Sequence, residues 1–413
     1  MGTDSALAGQ AAKLLSFDEA RVRILTGVRA LASERVPLME AAGRVLATDL
    51  VAPGQLPPFD YSAMDGYAIS TADVEGNGPW ALPVMGEASA GRPAGPLARV
   101  TACRIFTGAP IPPGADAVVM QEKVQRDGES IRLSEPVKAG QHIRRAGEDM
   151  DRGAVAIGGG TRLLPGGIAL AAMLGVSELA VARRPRVTIL CTGDELRAPG
   201  DVAGPASIPE SNSAALASLA RQASAVVRIA PIARDEPAAT QRAIEQALDG
   251  TDVLLTVGGV SVGDHDVVRP ALERAGVTLD FWRVAIKPGK PLAVGRSPSA
   301  HVLGLPGNPA SALVTFAVFG MPLLRALQGD ARPLPFPLRT ALAAERKRSA
   351  DRLELVRASL ESHDGALTAR IHDNQASGAA TSLAHSDGLL FIPPGEAAAG
   401  KGELFDFVRW GDA

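Results

Sequence analysis

The sequence predicts a multidomain α/β and β fold: a doubly wound α/β domain, an N-terminal α+β region carrying an inserted small β domain, and a C-terminal β-barrel. Three observations predict it. At 413 residues the chain is longer than one hydrophobic core usually organises. From Pro185 to Leu327, uninterrupted apolar runs alternate with stretches of helical period, as in parallel strands joined by helices. Before and after that region, short apolar runs alternate with Gly, Pro and Asp turns, which is β texture.

The elements follow in order. Ser16 to Leu31 reads as a helix: Ser16 is a fitting N-cap, Glu19 completes a capping box, and Ala20, Ile24, Val28 and Leu31 share one face. A second amphipathic stretch, Leu38 to Leu46, follows Pro37. Strands are expected at Arg104 to Thr107, Ala117 to Met120 and Ser130 to Leu133, and a helix from Ile168 to Leu174. The α/β region supplies strands at Arg186 to Cys191, Ala225 to Pro231, Val253 to Val257, Pro291 to Gly295 and His301 to Leu305. Its helices are Ser213 to Ala223, Ala238 to Leu248, Val267 to Ala275 and Ala310 to Leu327. The three prolines of Arg332 to Pro337 mark a linker, and strands at Leu353 to Leu360 and Ala366 to Ile371 begin the barrel. The expected units are therefore 1–50 with 150–182, then 51–149, 183–329 and 330–413.

Composition narrows the function. With 45 acidic against 42 basic residues the net charge is −3, which argues against a general nucleic-acid or polybasic membrane binder. The longest apolar stretch, Ala312 to Leu324, is interrupted by Gly320 and Pro322 and is too short to span a bilayer. Two cysteines without a CxxC exclude a disulfide scaffold and suit a reducing cytoplasm, and no secretory signal is expected.

Ligands of open α/β sheets bind beyond the carboxyl ends of the strands. Three polar, glycine-containing loops are expected there. They are Thr192-Gly193-Asp194-Glu195, then Gly258-Gly259-Val260-Ser261-Val262-Gly263-Asp264-His265-Asp266, then Pro306-Gly307-Asn308-Pro309-Ala310-Ser311. Glycine backbones admit an anion closely, and a helix start favours negative charge, so a phosphate-bearing ligand is expected. None of the three is a Walker A loop or a GxGxxG fingerprint. Asp194, Glu195, Asp235, Asp264 and Asp266 gather carboxylates at the same edge, a donor set suited to Mg²⁺ or, equally, to capping helices. Arg283, Lys287 and Lys290 stand on or beside a loop stiffened by Pro288 and Gly289, and suit an oxyanion. In the small β region, Pro58 to Ala68 forms an Asp- and Ser-rich turn flanked by aromatics, with Asp60, Ser62 and Asp65, and Thr107 and Asp149 lie on further polar loops.

The motifs FDYSAMDGYA, TGAP, RRAGED, TGDEL, GGVSVGDHD, AIKPGKP and GLPGNPAS occur in one order along the chain. In that order and spacing the sequence resembles the molybdopterin molybdenumtransferase family, which includes bacterial MoeA and the gephyrin E domain. The resemblance implies a MogA-like α/β domain and an enzyme that takes adenylylated molybdopterin, inserts molybdenum from molybdate and releases AMP with Mg²⁺. It further implies a homodimer with composite active sites, and contact with other proteins of molybdenum cofactor biosynthesis. By motif position it assigns catalytic roles to Asp60, Thr107, Asp149, Glu195, Asp235, Asp266, Lys287 and Lys290. Glu195, Asp235 and Asp266 would hold the metal, and Lys287, Arg357 and Ser377 the molybdate. Substrate binding would fall to Ser62, Asp65, Thr192, Gly193, Asp194, Gly258, Gly259, Ser261, Gly263, Arg283, Pro306, Gly307, Asn308 and Ser311. Two other functions use related parts: a molybdopterin adenylyltransferase or nucleotide pyrophosphatase built on the same α/β module, and an interaction protein that has kept the fold.

Overall fold

A computed structural model describes residues 14–259, 267–363 and 365–412. The chain opens with a helix at Phe17–Leu25. The Ser16 hydroxyl accepts from the Glu19 amide (3.2 Å), and the Glu19 carboxylate accepts from the Ser16 amide (2.8 Å), closing the capping box. The helix stops at Leu25 rather than Leu31, because Thr26 is extended and Gly27 turns left-handed. Ala20 and Ile24 still bury themselves in the α/β core. Ser16→Ala should cost about 1 kcal/mol of local stability. First-turn amide hydrogen exchange would then run roughly fivefold faster.

The stretch at Leu38 is one 3₁₀ turn, Leu38–Glu40, and not a helix: Gly43 at positive φ breaks the pattern. Instead Ser33–Pro37 pairs antiparallel with Glu178–Ala182, and Leu50–Val51 with Val155–Ile157. The chain leaves this unit after Val51 and re-enters at Val155, so what lies between is an insertion. The insertion is a mixed sheet in the spatial order 117–120, 66–69, 102–105, 80–88, 130–133, 124–127.

The α/β unit has a six-stranded sheet in the order 226–229, 186–191, 253–257, 301–305, 291–296, 278–283. The first four strands are parallel; 291–296 runs antiparallel to them, and 278–283 pairs antiparallel with 291–296. Its central strands bury both faces. Val187, Ile189 and Cys191 meet helix Asn212–Gln222 and the helical segment from Pro309 to Leu327, while Leu190 and Leu254 meet Pro237–Leu248 and Val268–Arg274. The strand Thr278–Arg283 escaped the sequence reading because Asp280 interrupts its apolar run and its pairing is irregular. The segment from Pro309 to Leu327 is apolar and long enough to cross a membrane, but 83% of it is buried, as the central helix of this core. A π-turn at Phe316–Gly320 divides it and sets Phe316 and Phe319 into the interior.

In the C-terminal unit, strands 353–363, 366–371, 338–342, 404–409 and 388–392 close into a five-stranded barrel, since the last pairs back with the first. A sixth piece, Ile286–Lys287, comes from the α/β unit and runs parallel to Leu353–Glu354. That pairing seats the barrel beside the carboxyl edge of the α/β sheet.

Candidate active site

Strands 186–191, 253–257 and 301–305 are neighbours and parallel, so their following loops emerge side by side. The loops are tied together: the Thr192 amide donates to the Val257 carbonyl (2.9 Å) and the Gly258 amide to Leu305 (3.2 Å). They enclose a cleft of about 440 Å³, lined by Thr192, Gly193, Glu195, Asp235, Gly258, Gly259, Pro306, Gly307 and Asn308 among others. Gly258 sits at φ +93°, where an added Cβ would lie 2.6 Å from the Thr192 carbonyl oxygen. A backbone atom cannot swing aside. Gly258→Ala should therefore cost about 2 kcal/mol, read as a lower melting temperature.

Sequence reasoning missed part of the lining. Ile208, Pro209, Glu210, Ser211 and Asn212 complete it. The Asn212 side-chain amide donates to the Gly307 carbonyl (2.8 Å), and the buried Glu210 carboxylate accepts from the Ser213 amide (2.9 Å). A signal existed: these residues precede a helix that starts at the ligand edge of a doubly wound sheet.

Of the carboxylates, Asp194, Glu195 and Asp235 are described at this edge, and Glu195 and Asp235 line the cleft. The Asp235 amide donates to Asp194 Oδ1 (3.4 Å). Partial desolvation, followed by the charges of Asp194 and Glu195, pushes the Asp235 carboxyl above its ordinary value. Asp266, Ser261 and Gly263 lie outside the described residues. Among the described residues no group of three His, Cys, Asp or Glu side chains forms a closed metal cage. The pair Glu195 and Asp235 nevertheless fits Mg²⁺, which takes one or two carboxylates and completes its shell with water and substrate phosphates.

The basic loop ends at Pro291, which lines the cleft; Arg283, Lys287 and Lys290 do not line it. Lys287 and Lys290 are exposed and Arg283 is half-buried. The barrel reaches the same place through Ser377: its hydroxyl accepts from the Asn308 side-chain amide and its carbonyl from the Ala310 amide, both at 3.0 Å. Ser311, by contrast, is buried in the helix that follows.

Arg357 is not on the surface of the barrel: its side chain is fully buried, and among the described residues it pairs with no carboxylate. Nε donates to Ser382 Oγ (2.8 Å) and Nη2 to the carbonyls of Asn374 (3.2 Å) and Ala376 (3.0 Å). Burial lowers the pKa of its guanidinium. Arg357 thus holds the Asn374–Ser377 loop from beneath, while its Nη1, also buried, has no hydrogen-bond partner among the described residues.

The residues of the insertion form their own cluster. Asp65 accepts from the amide and hydroxyl of Thr107 (2.8 Å each), and Asp60 accepts from the Ala146 amide (2.8 Å) and Arg145 Nη1 (2.6 Å). The Ala146 amide, and after it Arg145, hold the Asp60 carboxyl below its ordinary value against some desolvation. Asp149 is exposed nearby in sequence, with its amide on the Leu56 carbonyl (3.0 Å). Ser62 is a correction: it is fully buried and its hydroxyl donates to the Met64 carbonyl (2.6 Å), so it shapes the turn and offers nothing to a ligand. None of these residues lines the α/β cleft of its own chain.

Comparison with known proteins covers almost the whole chain. Residues 15–175 match the MoeA N-terminal region (domain I and II), 188–326 a probable molybdopterin binding domain, and 339–410 the MoeA C-terminal region (domain IV). Molybdopterin molybdenumtransferase 2 of Mycobacterium tuberculosis H37Rv is 39% identical over 388 residues, 90% of this chain and 94% of that protein. The molybdopterin molybdenumtransferase of Haemophilus influenzae is 39% identical over 349 residues, 83% and 85% of the two chains. The crystal structure of the molybdopterin biosynthesis MoeA protein of Pyrococcus horikoshii OT3 superimposes with a TM-score of 0.84 at 30% identity, over 96% of this chain and all of that one. With its glycine loops, acidic pair, basic loop and barrel in that arrangement, the chain belongs to the MoeA family of molybdopterin molybdenumtransferases, transferases of molybdenum cofactor biosynthesis.

Proposed function

We propose that this protein inserts molybdenum from molybdate into adenylylated molybdopterin and releases AMP, in a Mg²⁺-dependent reaction carried out by a homodimer. The observation that supports the reading is one cleft lined by glycine turns suited to a phosphate and by Glu195 and Asp235 suited to a metal, with Asn308 of its lining bonded to Ser377 of the barrel. Each does separate work. The loops at Gly193, Gly258 and Gly307 bring backbone close to a phosphate, with the start of helix Pro309–Thr315 beside them. When bound, Mg²⁺ supplies charge neutralisation to the leaving phosphate, and Glu195 and Asp235 are the residues to hold it. Molybdate is a hydrated dianion, so entering the site requires fixed donors and cations in place of water; Lys287, Lys290 and the Ser377 hydroxyl are the groups to which we assign that task. The two dithiolene thiols replace one oxo ligand of molybdate, which leaves as water with their two protons, and a second water cleaves the phosphoanhydride, so no protein nucleophile is required.

Incubation of the pure protein with adenylylated molybdopterin, molybdate and Mg²⁺ tests this. AMP and molybdenum-loaded pterin should appear together, in equal amounts. AMP release without metal insertion would favour a pyrophosphatase instead; no AMP above the protein-free control would end the proposal.

The homodimer reading is supported by Asp60, Thr107 and Asp149, none of which lines the cleft of its own chain. A partner's insertion would complete each site. Mixing Asp60→Ala and Asp235→Ala subunits should then restore about a quarter of wild-type activity, because half of the dimers are mixed and each has one intact site. No recovery in mixtures shown by sedimentation to exchange subunits would rule out shared sites.

A further inference from the structure

We infer that Glu354, a residue of the barrel, is a positioning residue that fixes the Lys287 ammonium at the oxyanion side of the cleft. The inference rests on the reading of Lys287 as an oxyanion contact and adds the group that holds it in place. The Glu354 side chain is only 3% exposed, yet it carries a carboxylate. A buried carboxylate persists only where cations and N–H groups compensate it. Here Lys287 Nζ lies 3.1 Å away, Arg346 Nη2 3.5 Å away, and the Ser349 amide donates at 3.2 Å.

The backbone around this pair is held on both sides. Ile286–Lys287 runs parallel to Leu353–Glu354, and the Leu353 amide donates to the Ala285 carbonyl (3.1 Å). Two residues on, Gly289 packs onto the central helix so closely that an added Cβ would lie 2.3 Å from Thr315 Oγ1, and its φ is +99°. The loop therefore has little freedom, and what remains is the rotation of the lysine's four-carbon stem. Lys287 keeps half of its side chain exposed while one of its three N–H donors is committed to Glu354. The other two stay available to an anion, in a fixed direction. An untethered lysine would lose that rotational freedom at each binding event, at a cost in affinity.

A purely structural ion pair between the two units predicts something different, and equilibrium dialysis of molybdate against the full-length protein separates the two. Glu354→Gln preserves shape and the hydrogen bond to Ser349 but cannot anchor a cation; it should raise the dissociation constant for molybdate about tenfold. In a Lys287→Met background the same change should have no further effect, which no structural role of Glu354 would produce. If Glu354→Gln fails to fold, Glu354→Asp keeps the buried negative charge and withdraws it from Lys287 by one methylene, and should show the same loss of affinity. A folded Glu354 variant with unchanged molybdate binding, while Lys287→Met binds weakly, overturns the role of Glu354 alone. Unchanged binding in Lys287→Met overturns the oxyanion reading of Lys287 as well.

Discussion

Replacing Arg357 with alanine is expected to lower the stability of the barrel by about 3 kcal/mol. Amide exchange across the strand Leu353–His363 would then accelerate by roughly a hundredfold. Arg357 is the largest fully buried side chain among the described residues. Its removal leaves a cavity and strands the Ser382 hydroxyl and the carbonyls of Asn374 and Ala376 without their donor. The same loop presents Ser377 to Asn308 and Ala310, so molybdate insertion should fall with stability. A surface ion pair would be worth under about 1 kcal/mol and would leave the exchange rates nearly unchanged. Lowering the temperature or adding a stabilising osmolyte should restore part of the activity of Arg357→Ala, because the lesion lies in the support and not in the contact. Full stability with lost molybdate binding would instead make Arg357 a direct ligand.

Glu195→Gln and Asp235→Asn are each expected to slow Mg²⁺-dependent AMP release at least about tenfold, or 1.4 kcal/mol of transition-state stabilisation. Both side chains lie on exposed loops at the mouth of the cleft, so melting temperatures should hardly change. Raising Mg²⁺ should recover part of the rate, because one carboxylate remains. The pH dependence adds a check with a definite sign. Asp235 is raised by desolvation and by its acidic neighbours, so as pH falls it takes up its proton earlier than an ordinary aspartate. Metal affinity needs the ionised form, so activity should begin to fall above the usual aspartate range, and Asp235→Asn should remove that limb of the profile. Wild-type turnover in both variants would remove the metal from this pair.

Much of this was legible in the sequence. A buried parallel strand must be apolar on both faces, and the runs 186–191, 253–257 and 301–305 announce themselves by that alone. A capping box is a local bond between neighbours, so Ser16 and Glu19 could be read directly. Loops after parallel strands must emerge at one edge, and this placed Thr192, Gly258 and Asn308 together before any coordinates. Seven ordered motifs gave the family. What the sequence could not decide depends on groups far apart along the chain. Helix length near Leu25 depended on one left-handed glycine, and the strand Thr278–Arg283 is held by partners that its own pattern does not specify. Whether Arg357 touches a ligand or supports a loop turns on burial, because the same guanidinium at a barrel surface would be free to bind. Lys287 and Glu354 are 67 positions apart, and only the pairing of an α/β loop with a barrel strand brings them to 3.1 Å. Local chemistry is written in neighbouring residues; solvent exposure and long-range charge pairing arise only when the chain closes on itself.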